Sequence, residues 1–173
     1  MKRGLPKIEK GILIMKSPEI DPTNFDRSVY LICEHNENAS LGLRLDLPFT
    51  DHLPMGAEEL DPITIRRFGG NTQKKEIFLL HTNPGSKGLE LAPNLFLGGE
   101  PDIYKEVALV VGYTLWTAGK LVEEFLQGHW YVTQMDKKYL FLTPPEQIWH
   151  KAVKDLGGKY SFICHFPKEL NLN

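Results

Sequence analysis

Between residues 41 and 47 the chain reads LGLRLDL, with a leucine at every second position. A period of two places Leu41, Leu43, Leu45 and Leu47 on one face of an extended strand and Arg44 and Asp46 on the other; a helix would scatter the same leucines around its circumference. The preceding run SVYLIC (28–33) is β-branched and aromatic, the composition of a second strand. Between them HNENAS (35–40) is short, polar and rich in Asn. Two strands joined this way predict a β-hairpin with a leucine face that the rest of the chain must cover.

The remaining segments show how. GILIM (11–15) is a short apolar strand that stops at Ser17-Pro18, and Asp21-Pro22-Thr23-Asn24 is turn chemistry. Residues 51–62 are rich in Pro, Gly and acids, with one helical turn at AEEL (57–60). ITIRRFGG (63–70) reads as a strand entering a double-glycine turn, and EIFLLHT (76–82) as another strand. Residues 83–99 read as loops and short strands, and Pro101 to Glu106 as the start of a helix. VALVVGY (107–113) is the most apolar run and lacks polar alternation, as a central strand does.

Two further helices are predicted. Thr117 caps AGKLVEEFLQ, with Leu121, Phe125 and Leu126 on one face and Gly128 past its end. Thr143-Pro144-Pro145-Glu146 has the form of a capping box before Ile148, Trp149, Ala152, Val153 and Leu156, one amphipathic face closed by Gly157. HWYVTQ, KYLFLT and KYSFICHF read as strands. Strands with helices between and after them, in 173 residues, predict a single α+β domain rather than strict βαβ alternation.

Bulk properties exclude several classes. A net charge of −2 and a pI near 6.3 give no long-range attraction for nucleic acid. The apolar run Ile12 to Met15 is too short for a signal peptide, and no stretch approaches the length of a membrane span. Two cysteines cannot make a disulfide framework. The expected compartment is the cytoplasm, with no membrane attachment.

GILIMKSPEI followed by FDRSVYLICEHNENASLGLRL resembles the opening of the AlgH-like (YqgE-type) family of bacterial proteins, a family without an assigned biochemical activity. The resemblance continues in order through Phe68-Gly69-Gly70, Phe78-Leu79-Leu80-His81, Gly112-Tyr113 with Trp116, Leu121 with Phe125, and Gly128-His129-Trp130, and it covers nearly the whole chain. It implies a mixed, largely antiparallel sheet that bifurcates and curls into a pseudo-barrel, with helices packed outside. Members are often labelled transcriptional regulators, but this chain has no helix-turn-helix, zinc module or basic helix to support direct DNA binding. It also departs from the family pattern. Gly-Gly-Pro is Gly69-Gly70-Asn71 here, Asn-Arg-Pro is Asp46-Leu47-Pro48, and Gly-Trp is Leu115-Trp116.

The chemistry-bearing residues cluster at strand ends. Cys33 and His35 share a strand face while Glu34 points away, yet neighbours two apart on a strand stand about 6–7 Å apart, too far for an easy thiol–imidazole pair. The preferred reading makes Cys33 a small buried hydrophobe. Cys164-His165 could join Cys33 and His35 as zinc ligands, but the spacing fits no standard module, and on a strand Cys164 and His165 would face opposite ways; no metal and no cofactor is expected. His81 sits where an apolar strand meets Asn83-Pro84-Gly85, a place where pockets form. Gly69-Gly70 matches no phosphate-loop pattern, and no hydrolase elbow or HExxH is present. These residues predict a non-enzymatic binding or regulatory domain whose ligand site draws on Glu34, His35, Arg44, Asp46 and His81. Its partner would be another protein or a small polar ligand. The alternative is a small hydrolase or thiol-dependent enzyme using Cys33 with His35 or His81.

Overall fold

The computed structural model describes residues 7–19 and 26–165; the expected turn at Asp21 to Asn24 and the tail from Phe166 lie outside them. Among the described residues nine strands form one sheet: β1 (Ile12–Lys16), β2 (Val29–His35), β3 (Ala39–Arg44), β4 (Ile65–Phe68), β5 (Thr72–His81), β6 (Leu89–Ala92), β7 (Leu95–Leu97), β8 (Val107–Thr117) and β9 (Trp130–Gln134). The helices are α1 (Lys120–Leu126), α2 (Lys138–Phe141), α3 (Ile148–Asp155) and α4 (Tyr160–Ile163). The strand order is β6-β7-β5-β8-β3-β2-β1-β9, antiparallel throughout, with β4 added parallel to β8. The sheet curls into a half-barrel, so the α+β class and the bifurcated, curled sheet are both observed.

The bifurcation has a local cause. Residues Ala108 to Val111 of β8 pair with β4 and with β5, which must therefore lie on opposite edges of β8. Further along, Thr114 to Thr117 pair with β3, on the edge that β4 has vacated. The chain thus passes from one edge of β8 to the other between β4 and β5, and it does so at Gly69-Gly70. The crossing is backbone on backbone: a Cβ on Gly69 would overlap the Gly112 carbonyl, and one on Gly112, whose φ is +73°, would overlap that of Gly70. The expected double-glycine turn is this crossing, and its glycines are needed for contact distance as much as for conformation.

Three of the four leucines of the expected face meet the core: Leu43 and Leu45 are buried and Leu41 packs partly against them, whereas β3 ends at Arg44 and Leu47 lies beyond it in a bend outside the core clusters. Leu13, Met15, Leu31, Leu43, Leu45, Leu80 and Val110 form one core with Tyr139, Leu140, Trp149 and Val153 from α2 and α3. Trp149 also donates its indole N–H to the Lys16 carbonyl at 2.9 Å, tying α3 to β1. On the opposite sheet face Ile12, Ile14 and Ile32 pack against Trp116 and against Leu121 and Phe125 of α1. A third cluster, Ile63 with Val107, Leu109 and Val111, lies under Phe49, Leu53 and Leu60.

Several segments differ from expectation. KYLFLT and KYSFICHF are not strands: α2 and α4 occupy them. Asp136 accepts the Lys138 amide at 2.9 Å and starts a helical turn that buries Tyr139 and Leu140 side by side, which a strand could not do on one face. Residues 101–106 form turns, with Asp102 accepting the Tyr104 amide at 3.0 Å. Thr117 stays in β8, and α1 begins after Gly119. Thr143 donates its hydroxyl back to the Lys138 carbonyl at 2.9 Å and caps nothing ahead of it.

Candidate functional site

Pairing between β2 and β3 steps from Ile32–Gly42 to Glu34–Leu41, so Cys33 is the extra residue of a β-bulge. Its side chain enters the larger core and is 4% exposed. Sγ makes a long contact, 3.7 Å, to the Leu31 carbonyl. Burial pushes the thiol up to about 12, with a backbone hydrogen bond near Leu43 opposing. Beyond the bulge the strand reaches the surface. Glu34 is exposed and accepts the Asn36 side-chain amide at 3.0 Å, while His35 holds Ser40 Oγ through Nδ1 at 2.6 Å across the hairpin. Asn36 Oδ1 accepts the amides of Asn38 and Ala39 and closes the turn. Cys33, Glu34 and His35 line an open cleft of about 430 Å³, completed by Lys7, Ile8, Glu9, Lys10 and Leu89.

Arg44 and Asp46 lie elsewhere. Arg44 grips Asp46 in a bidentate pair, Nε to Oδ1 at 3.0 Å and Nη2 to Oδ2 at 2.9 Å, with Asp26 at 3.5 Å. Burial works against the guanidinium charge, and the Asp46 carboxylate more than restores it. Asp46 Oδ1 also accepts the Val29 amide at 2.8 Å and so anchors the start of β2. This pair braces the hairpin base. Arg44 borders a groove of about 200 Å³ at the sheet fork, with Tyr30, Asn71, Thr72 and Thr114.

His81 is fully buried at the end of β5. Nδ1 accepts the Asn83 amide at 3.2 Å, so the ring carries its proton on Nε2, which faces the Gly98 carbonyl at 2.7 Å and Ser86 Oγ at 3.2 Å. The ring stacks on Phe96. It borders a separate pocket of about 190 Å³ with Asp102, Lys105 and Glu106. The five residues singled out from the sequence therefore occupy three places, and only Glu34 and His35 share a cavity.

The structure adds groups that no local pattern reveals. Lys7, Lys10 and Leu89 reach the cleft only because β6 curls back toward the start of β1, where Lys10 Nζ meets the Glu90 carbonyl at 3.2 Å. A cavity of about 510 Å³ is bordered by Pro93, Gln134, Lys138, Tyr139 and Asp155. Its polar groups satisfy one another: Tyr139 donates to Asp155 at 2.9 Å, and Lys138 sits 3.0 Å from the same oxygen. It was invisible in the sequence because α2 reads as a strand. Arg67 is a further surprise, 7% exposed and with no hydrogen-bond partner for Nε among the described residues. Burial lowers its pKa, and only the Glu146 charge opposes. No described helix is long and apolar enough to cross a membrane.

The curled sheet, its glycine crossing and the surface clefts define an α+β half-barrel domain in which the sulfur of the Cys-Glu-His run is packed away. The AlgH-like family profile matches residues 13–161, and the chain belongs to that family. It is 38% identical to a UPF0301 protein of Chlamydia felis, with 96% of each chain covered. It is 31% identical to one of Chlorobium phaeobacteroides over the whole of both. The solution structure of AlgH from Pseudomonas aeruginosa superposes with a TM-score of 0.69 at 26% identity, covering 95% of this chain and 97% of that one. A crystal structure of a Corynebacterium diphtheriae protein shares the fold, with a TM-score of 0.76 at 20% identity, covering 94% and 93%.

Proposed function

We propose that the protein is a non-enzymatic binding domain whose recognition site is the cleft at the end of the β2–β3 hairpin. The observation that carries this reading is the bulge at Cys33. It sends the thiol into the core and leaves Glu34 and His35 at the mouth of a cavity of ligand size. Its lining carries both signs of charge, Lys7 and Lys10 with Glu9 and Glu34, which suits a small polar ligand. A thiol-dependent enzyme has less support. Its nucleophile is buried and held protonated, His35 Nδ1 is engaged with Ser40, and both His81 nitrogens are engaged by the 83–98 loop.

A regulatory role in transcription, which the family resemblance implies, would act through such binding rather than through a DNA groove. The longest described helix has eight residues, and the net charge is negative. Two free buried thiols fit a reducing, cytoplasmic setting. The test is an amide-NMR titration of the full chain with simple carboxylates, phosphates and nucleoside monophosphates. At least one should shift Glu34, His35 and Leu89 together, and His35→Ala with Lys10→Ala should weaken it about tenfold or more. Shifts confined to other cavities, or none at millimolar ligand, would remove the hairpin cleft as the site.

A further inference from the structure

We infer a second site, unrelated to the hairpin cleft: a zinc-binding site between α3 and α4, formed by His150, Cys164 and His165. One ligand atom from each of the three residues lies within 4.8 Å of the others. The helical turn is what brings them together. On a strand, Cys164 and His165 would face opposite ways, but α4 ends in a tight turn that sets both against the flank of α3. Cys33 and His35, whose spacing to Cys164-His165 fits no zinc module, lie in the β2–β3 hairpin and do not belong to this cluster; the third ligand is His150.

The donor set selects the ion. Two imidazoles and a thiol are borderline-to-soft ligands that suit Zn²⁺, and no carboxylate among the described residues belongs to the cluster to favour Mg²⁺ or Ca²⁺. A tetrahedral zinc, with bonds of about 2.0–2.3 Å, holds its ligand atoms roughly 3.3–3.7 Å apart, so a pair at the 4.8 Å limit needs to close by about 1.1–1.5 Å. One ring nitrogen of His150 is held by the Cys164 backbone. Its Nδ1 donates to the Cys164 carbonyl at 2.9 Å, which puts the ring proton on Nδ1 and leaves the lone pair on Nε2, the way ligating histidines are commonly braced. The His165 ring meets the His150 ring edge-on, with centroids 5.3 Å apart. Cys164 is fully buried, His150 partly, and His165 exposed, so the ion enters from the His165 side and keeps a solvent ligand in its fourth position. Without the ion, Sγ donates to the Ser161 carbonyl at 3.1 Å; on binding, that proton leaves to solvent and the thiolate joins the metal.

The experiment uses the full chain without an affinity tag, stripped with a chelator and titrated with Zn²⁺ and with Co²⁺ as a spectroscopic stand-in. One equivalent should bind, and cobalt should show a thiolate charge-transfer band with the intense visible absorption of tetrahedral coordination. His165→Ala, at an exposed side chain, should keep the circular dichroism and weaken Zn²⁺ by about a hundredfold. Cys164→Ser should remove the band, and Cys33→Ala should leave it unchanged. Because the Cys164 variant sits in the core and can unfold, His165→Ala and Cys33→Ala decide the matter. No thiolate band, a band that follows Cys33, or zinc affinity indifferent to His165 would overturn the site.

Discussion

Cys33 shows how much one residue's placement changes its chemistry. A thiol pushed to about 12 is ionised at pH 8 to about one part in ten thousand, against about a tenth for a thiol near 9. Native-state alkylation by iodoacetamide should therefore be about a thousandfold slower than in urea, with mass spectrometry reporting which cysteine is modified. Labelling of Cys33 at the unfolded rate in native buffer would show the thiol to be poised for reaction. Because the folded pKa exceeds the unfolded one, the fold favours the protonated form. That contribution is complete below about pH 9 and is lost as pH rises toward 12, so Cys33→Ala should flatten the alkaline limb of the stability profile over that window.

At the scale of elements, the hairpin depends on a carboxylate that the sequence marks as a departure from its family. Asp46 both pairs with Arg44, whose side chain is 16% exposed, and accepts the amide at the start of β2. Asp46→Ala leaves the half-buried Arg44 guanidinium with Asp26 alone and the Val29 amide without its acceptor, and should cost about 2–3 kcal/mol in urea unfolding. Asp46→Asn keeps an oxygen for Val29 and should cost less. Equal losses in the two variants would mean that charge, not the amide anchor, carries the whole effect. An Asp46→Ala change within about 0.5 kcal/mol of the parent would remove the structural role altogether. Here the alternation LGLRLDL was enough to predict the hairpin, yet not the bulge. One extra residue in β2 leaves no trace in composition, because the pairing register belongs to two strands at once.

For the molecule as a whole, β8 is the shared spine, paired with β4 and β5 over its first half and with β3 over its second. The crossing at Gly112 cannot relax without moving β4 and β5 together. Gly112→Ala should therefore cost about 3 kcal/mol or more, or prevent folding. Gly119 has the same φ of +73° with open space around it, so Gly119→Ala should cost only about 1 kcal/mol. Thermal unfolding of the pair separates the two effects. Similar small losses would mean that backbone conformation alone, and not close approach, governs the fork.

The local sequence sufficed for the strands with strong alternation or unbroken apolar character, the amphipathic α3, and the α+β class. Each of these is a property of side chains a few residues apart. Tertiary contact decided the rest. Tyr139 and Leu140 became helical because two adjacent residues had to be buried on one side, and Gly69-Gly70 became a crossing because β8 is paired on both edges. Lys10, Leu89 and His35 share a cleft only because the sheet curls. Curvature, register and the meeting of distant side chains are set by packing between elements, and no single segment of the chain encodes them.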